Sequence, residues 1–303
     1  MTVTVVPGSA LLGIVLHGAG DFSWTRFEIH PSVLIGCTLF FGAYLAAIGP
    51  LRRRLGGPDH VRLDKLAYML SGVLVLFVSL NGPIHDLSDN YLFSAHMVQH
   101  MLITLIVPPL FLLGTPDWLM AWLLRPRIVE RTAKFLTMPL VAYAVYNLVF
   151  VGWHFPVFYN WALVDHNVHI VQHLMFIAAA MVMWWPIASP LPDLYRLSRP
   201  GQLLYIFAFG IPMSVVSAFI TFSETVLYTW YEAAPRLWDL SALDDQRLGG
   251  AIMWVPGMLV FWTAMTFVFF RWARSEERKE RQAARRMRPT GEHGAPDALP
   301  ARN

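Results

Sequence analysis

Apolar runs about twenty residues long recur along this chain of 303 residues, and they restrict its fold more than any other feature. At ~1.5 Å of rise per residue, such a run crosses the ~30 Å hydrocarbon layer of a bilayer as a helix. Lipid offers a peptide group no hydrogen-bond partner, so each run has to satisfy its backbone internally. Seven runs are long enough: Pro31 to Pro50, Leu66 to Pro83, Leu92 to Gly114, Phe135 to Gly152, Val168 to Ala188, Gln202 to Phe222 and Gly250 to Trp272. Composition agrees, with 14% charged residues and a mean hydropathy of +0.47, where a soluble domain carries about 25% charge. The expected fold is all-α: a polytopic membrane bundle of seven transmembrane helices within residues 1–272.

Flanking segments complete that expectation. Residues 1–30 include the apolar piece SALLGIVLHGAG with no Lys or Arg before it, unlike the positive start of a signal peptide, and are expected to be outer and interfacial. Residues 273–303 form a basic cytoplasmic tail that begins as a charged helix and ends rich in Pro, Gly and Ala, a composition that stays disordered. Counting Arg271 with that tail, 20 of the 23 Lys and Arg residues fall on one side of the seven runs and three on the other. The positive-inside rule then sets the N-terminus outside and the C-terminus in the cytoplasm. The basic residues act as membrane anchors rather than as a nucleic-acid surface. The single cysteine, Cys37, lies inside the first run, so a metal site has to draw on His, Met, carboxylate or backbone.

Two nearly identical words stand at the heads of the third and fifth runs: HMVQHML, from His96, and HIVQHLM, from His169. Residues four apart share a helix face, so His96 and His100 point one way, as do His169 and His173, with Gln99 and Gln172 beside the first histidine of each pair. Both runs are expected to cross from outside to inside, which makes the pairs co-directional and similar in depth. Ionisable groups inside a span are costly and face a bundle interior or a wet cavity. A lone histidine there is usually a hydrogen-bonding group, but four imidazoles at one level form a ligand set suited to Zn, Cu, Fe or Ni.

Other polar residues gather on the same side. The second outer connection supplies His85, Asp86 and Asp89; the next supplies His154, Asp165 and His166; the last run opens with Asp244, Asp245 and Gln246, then Gly249, Gly250 and Met253. Nine of the 11 histidines are assigned to the outer half, leaving His60 and His293 inside. His17, His30 and His166 read individually as interfacial. The paired glycines read as a close helix approach, and Met253 as a soft thioether contributor. There is no GxSxG, Walker loop, GxGxxG or HExxH, the usual devices of hydrolases, nucleotide enzymes and zinc proteases. Lys65, Lys134 and Lys279 all fall outside the runs, which removes an opsin's Schiff-base lysine.

At PIHDLS, HMVQHMLITLIVPPLFLLGTP, WHFPVFY, HIVQHLMFIAAAMVMWWPI and DQRLGGAIMWVPG, the chain resembles the CtaG family of polytopic membrane proteins, assembly factors for caa-type and related cytochrome c oxidases. That resemblance implies a non-enzymatic protein of the bacterial inner membrane. Its partner would be the oxidase catalytic subunit, and its metal copper, as Cu(I), received from a periplasmic donor. His85, Asp86, His96, His100, His154, His169, His173, Asp245 and Gln246 stand inside matching motifs. The expected site has His96, His100, His169 and His173 as ligands, with His85 or His154 gating access. Three alternatives stay open: a cytochrome with haem between His96 or His100 and His169 or His173, a histidine-box di-iron enzyme, and a metal-free scaffold. All four histidines have to converge for the ligand reading to hold.

Overall fold

The apolar runs fold as helices, punctuated by proline. The computed structural model describes residues 22–25, 27–191 and 194–287, and their regular structure is entirely helical. Helix α1 is Pro31–Ile48, α2 is Leu63–Ser79 and α3 is Gly82–Asn90. Helices α4 (Phe93–Met101) and α5 (Val107–Gly114) are joined by a π-helical turn, Leu102–Ile106. There follow α6 (Asp117–Leu123), α7 (Arg127–Leu136), α8 (Pro139–His154), α9 (Pro156–Val164), α10 (His166–Ala188), α11 (Arg199–Thr221), α12 (Thr229–Ala233) and the long α13 (Ala242–Met287). Five units are each long and apolar enough to cross a bilayer: α1, the continuous α4–α5 unit, α10, α11 and α13. Two bent pairs, α2 with α3 at 44° and α7 with α8 at 80°, raise the number to as many as seven, at the positions of the seven apolar runs. Expectations for residues 1–21, His17 among them, and for the tail beyond residue 287, with His293, lie outside the described residues. The tail's first part continues α13 as a charged helix.

Proline explains the two breaks nearest the histidines. Pro83 has no N–H to give the carbonyl of Ser79; the chain bends there, and Gln99 Nε2 donates to that carbonyl at 2.8 Å. Pro108 likewise cannot serve Thr104. The carbonyl of Thr104 accepts from Trp184 Nε1 of α10 at 3.1 Å, while Thr104 Oγ1 donates to the carbonyl of His100 at 2.6 Å. A π turn of this kind inside an α-helix commonly marks a functional site. Here it begins two residues after His100.

Close packing gathers the polar elements. The main core includes Phe93, Met97, Phe176, Met183, Ile206 and Tyr231, drawn from α4, α10, α11 and α12. Helix α13 approaches two of these helices through adjacent glycines, as the sequence suggests. A Cβ at Gly249 would lie 2.3 Å from Phe93 Cδ1, and one at Gly250 would lie 2.8 Å from the backbone nitrogen of Thr221. Backbone cannot give way as a side chain can. Gly250→Ala is therefore expected to cost about 1–3 kcal/mol and to lower the unfolding temperature in detergent. Gly42→Ala, with nothing within 4 Å of the added methyl, should leave it unchanged or slightly raised through helix propensity.

Candidate metal centre

Both histidine helices begin in the same way. In α4 and in α10 the first histidine of the repeated word is the fourth residue, His96 after Phe93 and His169 after His166. The first turn of a helix leaves N–H groups unpaired, and a carboxylate there is favoured by hydrogen bonding and by the helix dipole. Asp165 fills this position for α10 from within its own chain segment, with Oδ1 accepting from Asn167 N at 2.9 Å and Val168 N at 3.3 Å. Asp245 does so for α4 from across the bundle: its Oδ2 accepts from Phe93 N at 2.7 Å and its Oδ1 from Ser94 N at 3.1 Å. The two carboxylates fix where the imidazoles start.

The four imidazoles then meet. Ring centroids of His96 and His169 are 5.2 Å apart, those of His100 and His173 are also 5.2 Å apart, and His96 to His173 is 5.9 Å. First pairs with first and second with second, so the helices run in the same direction at this level. Within each helix the Nε2 atoms touch, at 2.8 Å for His96 and His100 and 3.1 Å for His169 and His173. All four residues are buried. Ligating atoms of His96, His100 and His173 lie within 4.8 Å of one another, as do those of Asp89, His96 and His169. Nitrogens sharing one tetrahedral ion at ~2.0–2.1 Å sit about 3.3 Å apart, so a small opening of the hydrogen-bonded pairs seats a cation. Three or four imidazoles and one carboxylate form a borderline donor set suited to Cu or Zn.

Hydrogen bonding fixes which nitrogen is free. Tyr231 donates its hydroxyl proton to the carbonyl of Ser88 at 2.6 Å and stands 2.6 Å from His96 Nδ1. Nδ1 of His96 therefore carries the hydrogen, and its Nε2 presents a lone pair to His100, whose Nε2–H is the donor. On the other flank, the Oδ2 atom of Asp89 lies 3.5 Å from both His85 Nε2 and His169 Nδ1. Its negative charge beside the imidazoles favours a cation there. Gln99 orients His85 through a contact of 3.1 Å to Nδ1. The corresponding Gln172 is buried with neither amide atom hydrogen-bonded, so the two words are alike in histidine placement and different in the use of glutamine.

A cavity of about 390 Å3 leads inward from exposed Glu28 and His166 past His85 and Asp86 to Asp89 and His169. His30 borders it, its ring 4.4 Å from that of His85. His85 thus stands at the way in. His154 does not: it lies beyond His100, with a centroid distance of 6.4 Å, and shares a small cavity with Met97 and Met253. Asp86 accepts from Asn90 Nδ2 at 2.9 Å. Gln246 holds a loop, accepting from Leu227 N at 2.6 Å and donating to the carbonyl of Thr225 at 3.2 Å. Asp245 and Gln246 are thereby committed to backbone, and Asp245 joins no His, Cys or carboxylate ligand group among the described residues. Asp89, whose carboxylate lies close enough to His96 and His169 to share an ion with them, was left out of the set by sequence reasoning; its spacing of four from His85 was the available signal. Tyr231 carries no such signal, because its helix is five residues long and distant in sequence.

Five to seven apolar helices around a buried cluster of imidazoles define a class: a multi-pass α-helical protein whose polar side chains face inward. Within that class the chain belongs to the cytochrome c oxidase caa3 assembly factor family (Caa3_CtaG), which it matches over residues 42–275. It is similar to uncharacterized proteins of Mycobacterium bovis and Mycobacterium tuberculosis, each 28% identical over 301 residues covering 88% of this chain. A third, from Mycobacterium leprae, is 25% identical over 273 residues covering 81% of the chain. The chain spans about two fifths of the length of these relatives, 42%, 42% and 39% respectively. No solved structure matches it.

Removing the cap from α4 tests how the cluster is positioned. Asp245→Ala strips two charge-assisted hydrogen bonds from buried N–H groups and should cost about 2–4 kcal/mol, read as a fall in the thermal unfolding midpoint. Asp245→Asn, which keeps an acceptor oxygen, should recover part of that loss.

Proposed function

We propose that this protein serves the biogenesis of cytochrome c oxidase from the bacterial inner membrane, holding copper as cargo in its imidazole cluster for the oxidase catalytic subunit. The observation that carries this reading is the convergence of His96, His100, His169 and His173 from two helices, with ligating atoms close enough for one ion. Family membership supports the oxidase as the process served. The imidazoles support copper, which they suit, and a site without thiolate holds it less tightly than a thiolate site would. Seven spans, with the N-terminus outside, turn the cavity at Asp89 and His85 toward the periplasm, where a soluble donor would load Cu(I). The role is carriage, with no turnover chemistry assigned to any residue.

Ion binding is favoured over haem by space. Across the two helices the ring centroids of His96 and His169, and of His100 and His173, stand 5.2 Å apart, too close for the plane of a haem ligated from both sides, and buried Tyr159 and Phe176 pack on the cluster.

Three measurements test the reading. Purified protein titrated anaerobically with Cu(I) against a chromogenic chelator should bind the ion. Replacing all four histidines with alanine should weaken binding at least tenfold, as loss of ligands does, and should reduce oxidase activity in membranes. Absence of copper binding by the wild type, together with intact oxidase assembly by the variant, would favour a metal-free scaffold and end the proposal. For topology, a cysteine at His166 should react with a membrane-impermeant maleimide in intact spheroplasts and one at His60 should not; the reverse labelling would invert the orientation.

A further inference from the structure

Beyond His100, away from the outer cavity, lies a second group that shares only His100 with the imidazole cluster. Hydrogen bonding settles its protonation. His100 spends its Nε2–H on His96, which leaves Nδ1 as a bare lone pair, buried and without a hydrogen-bond partner. His154 donates Nδ1–H to the carbonyl of Phe150 at 2.6 Å, and its Nε2 is likewise a buried lone pair without a partner. Two acceptors cannot hydrogen-bond to each other. Both residues line one internal cavity of about 20 Å3, together with Met97, Met101, Met213 and Met253. Met97, Met213 and Met253 are buried, and the cavity has room for a single water molecule or a single ion.

We infer that this cavity is a second, inner station for a soft monovalent cation, Cu(I), held by His100 Nδ1 and His154 Nε2 with thioether sulfur from Met97 or Met253. The ring spacing admits one ion between the two imidazoles. An ion held between two ring nitrogens at roughly 2.0 Å each puts the ring centroids about 6.3 Å apart, and His100 and His154 stand 6.4 Å apart with their planes at 80°. Thioether and imidazole without carboxylate select Cu(I) over harder divalent ions, whereas the outer group contains Asp89. The π turn follows directly, with Thr104 Oγ1 bonded to the carbonyl of His100, so the backbone bearing His100 is held on the inner side as well.

His100 belongs to both stations, and a neutral imidazole has one lone pair. With the proton on Nε2, the ring serves the inner station while His96, His169, His173 and Asp89 remain for the outer one. If the same proton moves to Nδ1, the ring serves the outer group and the inner station loses a ligand. The tautomer of one residue thereby sets which station is complete.

This inference rests on the copper reading above, and the test separates the two. Full-length protein in detergent is titrated anaerobically with Cu(I) against a chelator, with X-ray absorption on the loaded sample. Wild type should bind two ions per chain and show sulfur neighbours. His154→Gln should bind one. So should the combined Met97→Leu and Met253→Leu variant, whose volume-conserving changes preserve the core, and its sulfur signal should be lost. The triple variant His96→Gln, His169→Gln, His173→Gln should keep one ion with sulfur neighbours. One ion in wild type, unaffected by His154→Gln or the methionine changes and lost in the triple variant, would overturn the inner station and leave the outer reading standing. Two ions retained by the triple variant would overturn the outer reading instead, and no copper in wild type would overturn both.

Discussion

A peptide N–H or carbonyl without a partner costs several kcal/mol in hydrocarbon, and the construction of this protein follows from that cost. At the two proline breaks nearest the histidines and at the starts of both histidine helices, a side chain takes up the orphaned group. Pro83 frees the carbonyl of Ser79 and Gln99 caps it; Pro108 frees that of Thr104 and Trp184 caps it. The starts of the two histidine helices are closed by Asp165 and Asp245. The contacts at Ser79, Phe93 and Thr104 tie α4 and the π turn after it to α2, α13 and α10, above and below the imidazoles.

The same accounting places the chemistry. A buried imidazole has one nitrogen to donate and one to accept. Around this cluster most of those nitrogens are assigned: Tyr231 to His96, His96 to His100, His169 to His173, Phe150 to His154. Among the fully buried nitrogens, those of His100 Nδ1 and His154 Nε2 have no partner. Buried polar atoms without partners are rare in folded proteins and call for a physical explanation. Both residues line, with Met97, Met101, Met213 and Met253, a cavity of about 20 Å3.

Much of this arrangement was legible in the sequence because it depends on local repetition. Apolar length marks the helices that cross, and the spacing of four in the two words aligns each histidine pair. Charge asymmetry suggested co-directional runs, in keeping with the way His96 meets His169 and His100 meets His173. The short helices α3, α6, α7, α9 and α12 were not legible, since each runs for ten residues or fewer and lies beside a longer apolar run. Asp245 and Gln246 read as ligand candidates because they are acidic and polar near the others. Their lone pairs go to backbone N–H groups of α4 and of the loop before α12.

By itself, then, the sequence determined that the chain is helical, where its apolar segments lie, and that two imidazole pairs share helix faces, all consequences of interactions within a few residues. Only the tertiary structure decided that the pairs face each other, that Asp89 and Tyr231 join them, and that His154 stands beside His100 without lining the cavity at Asp89. Such relations link residues as far apart as Phe93 and Asp245. They are set by which helix packs on which, and no local period in the chain encodes that choice.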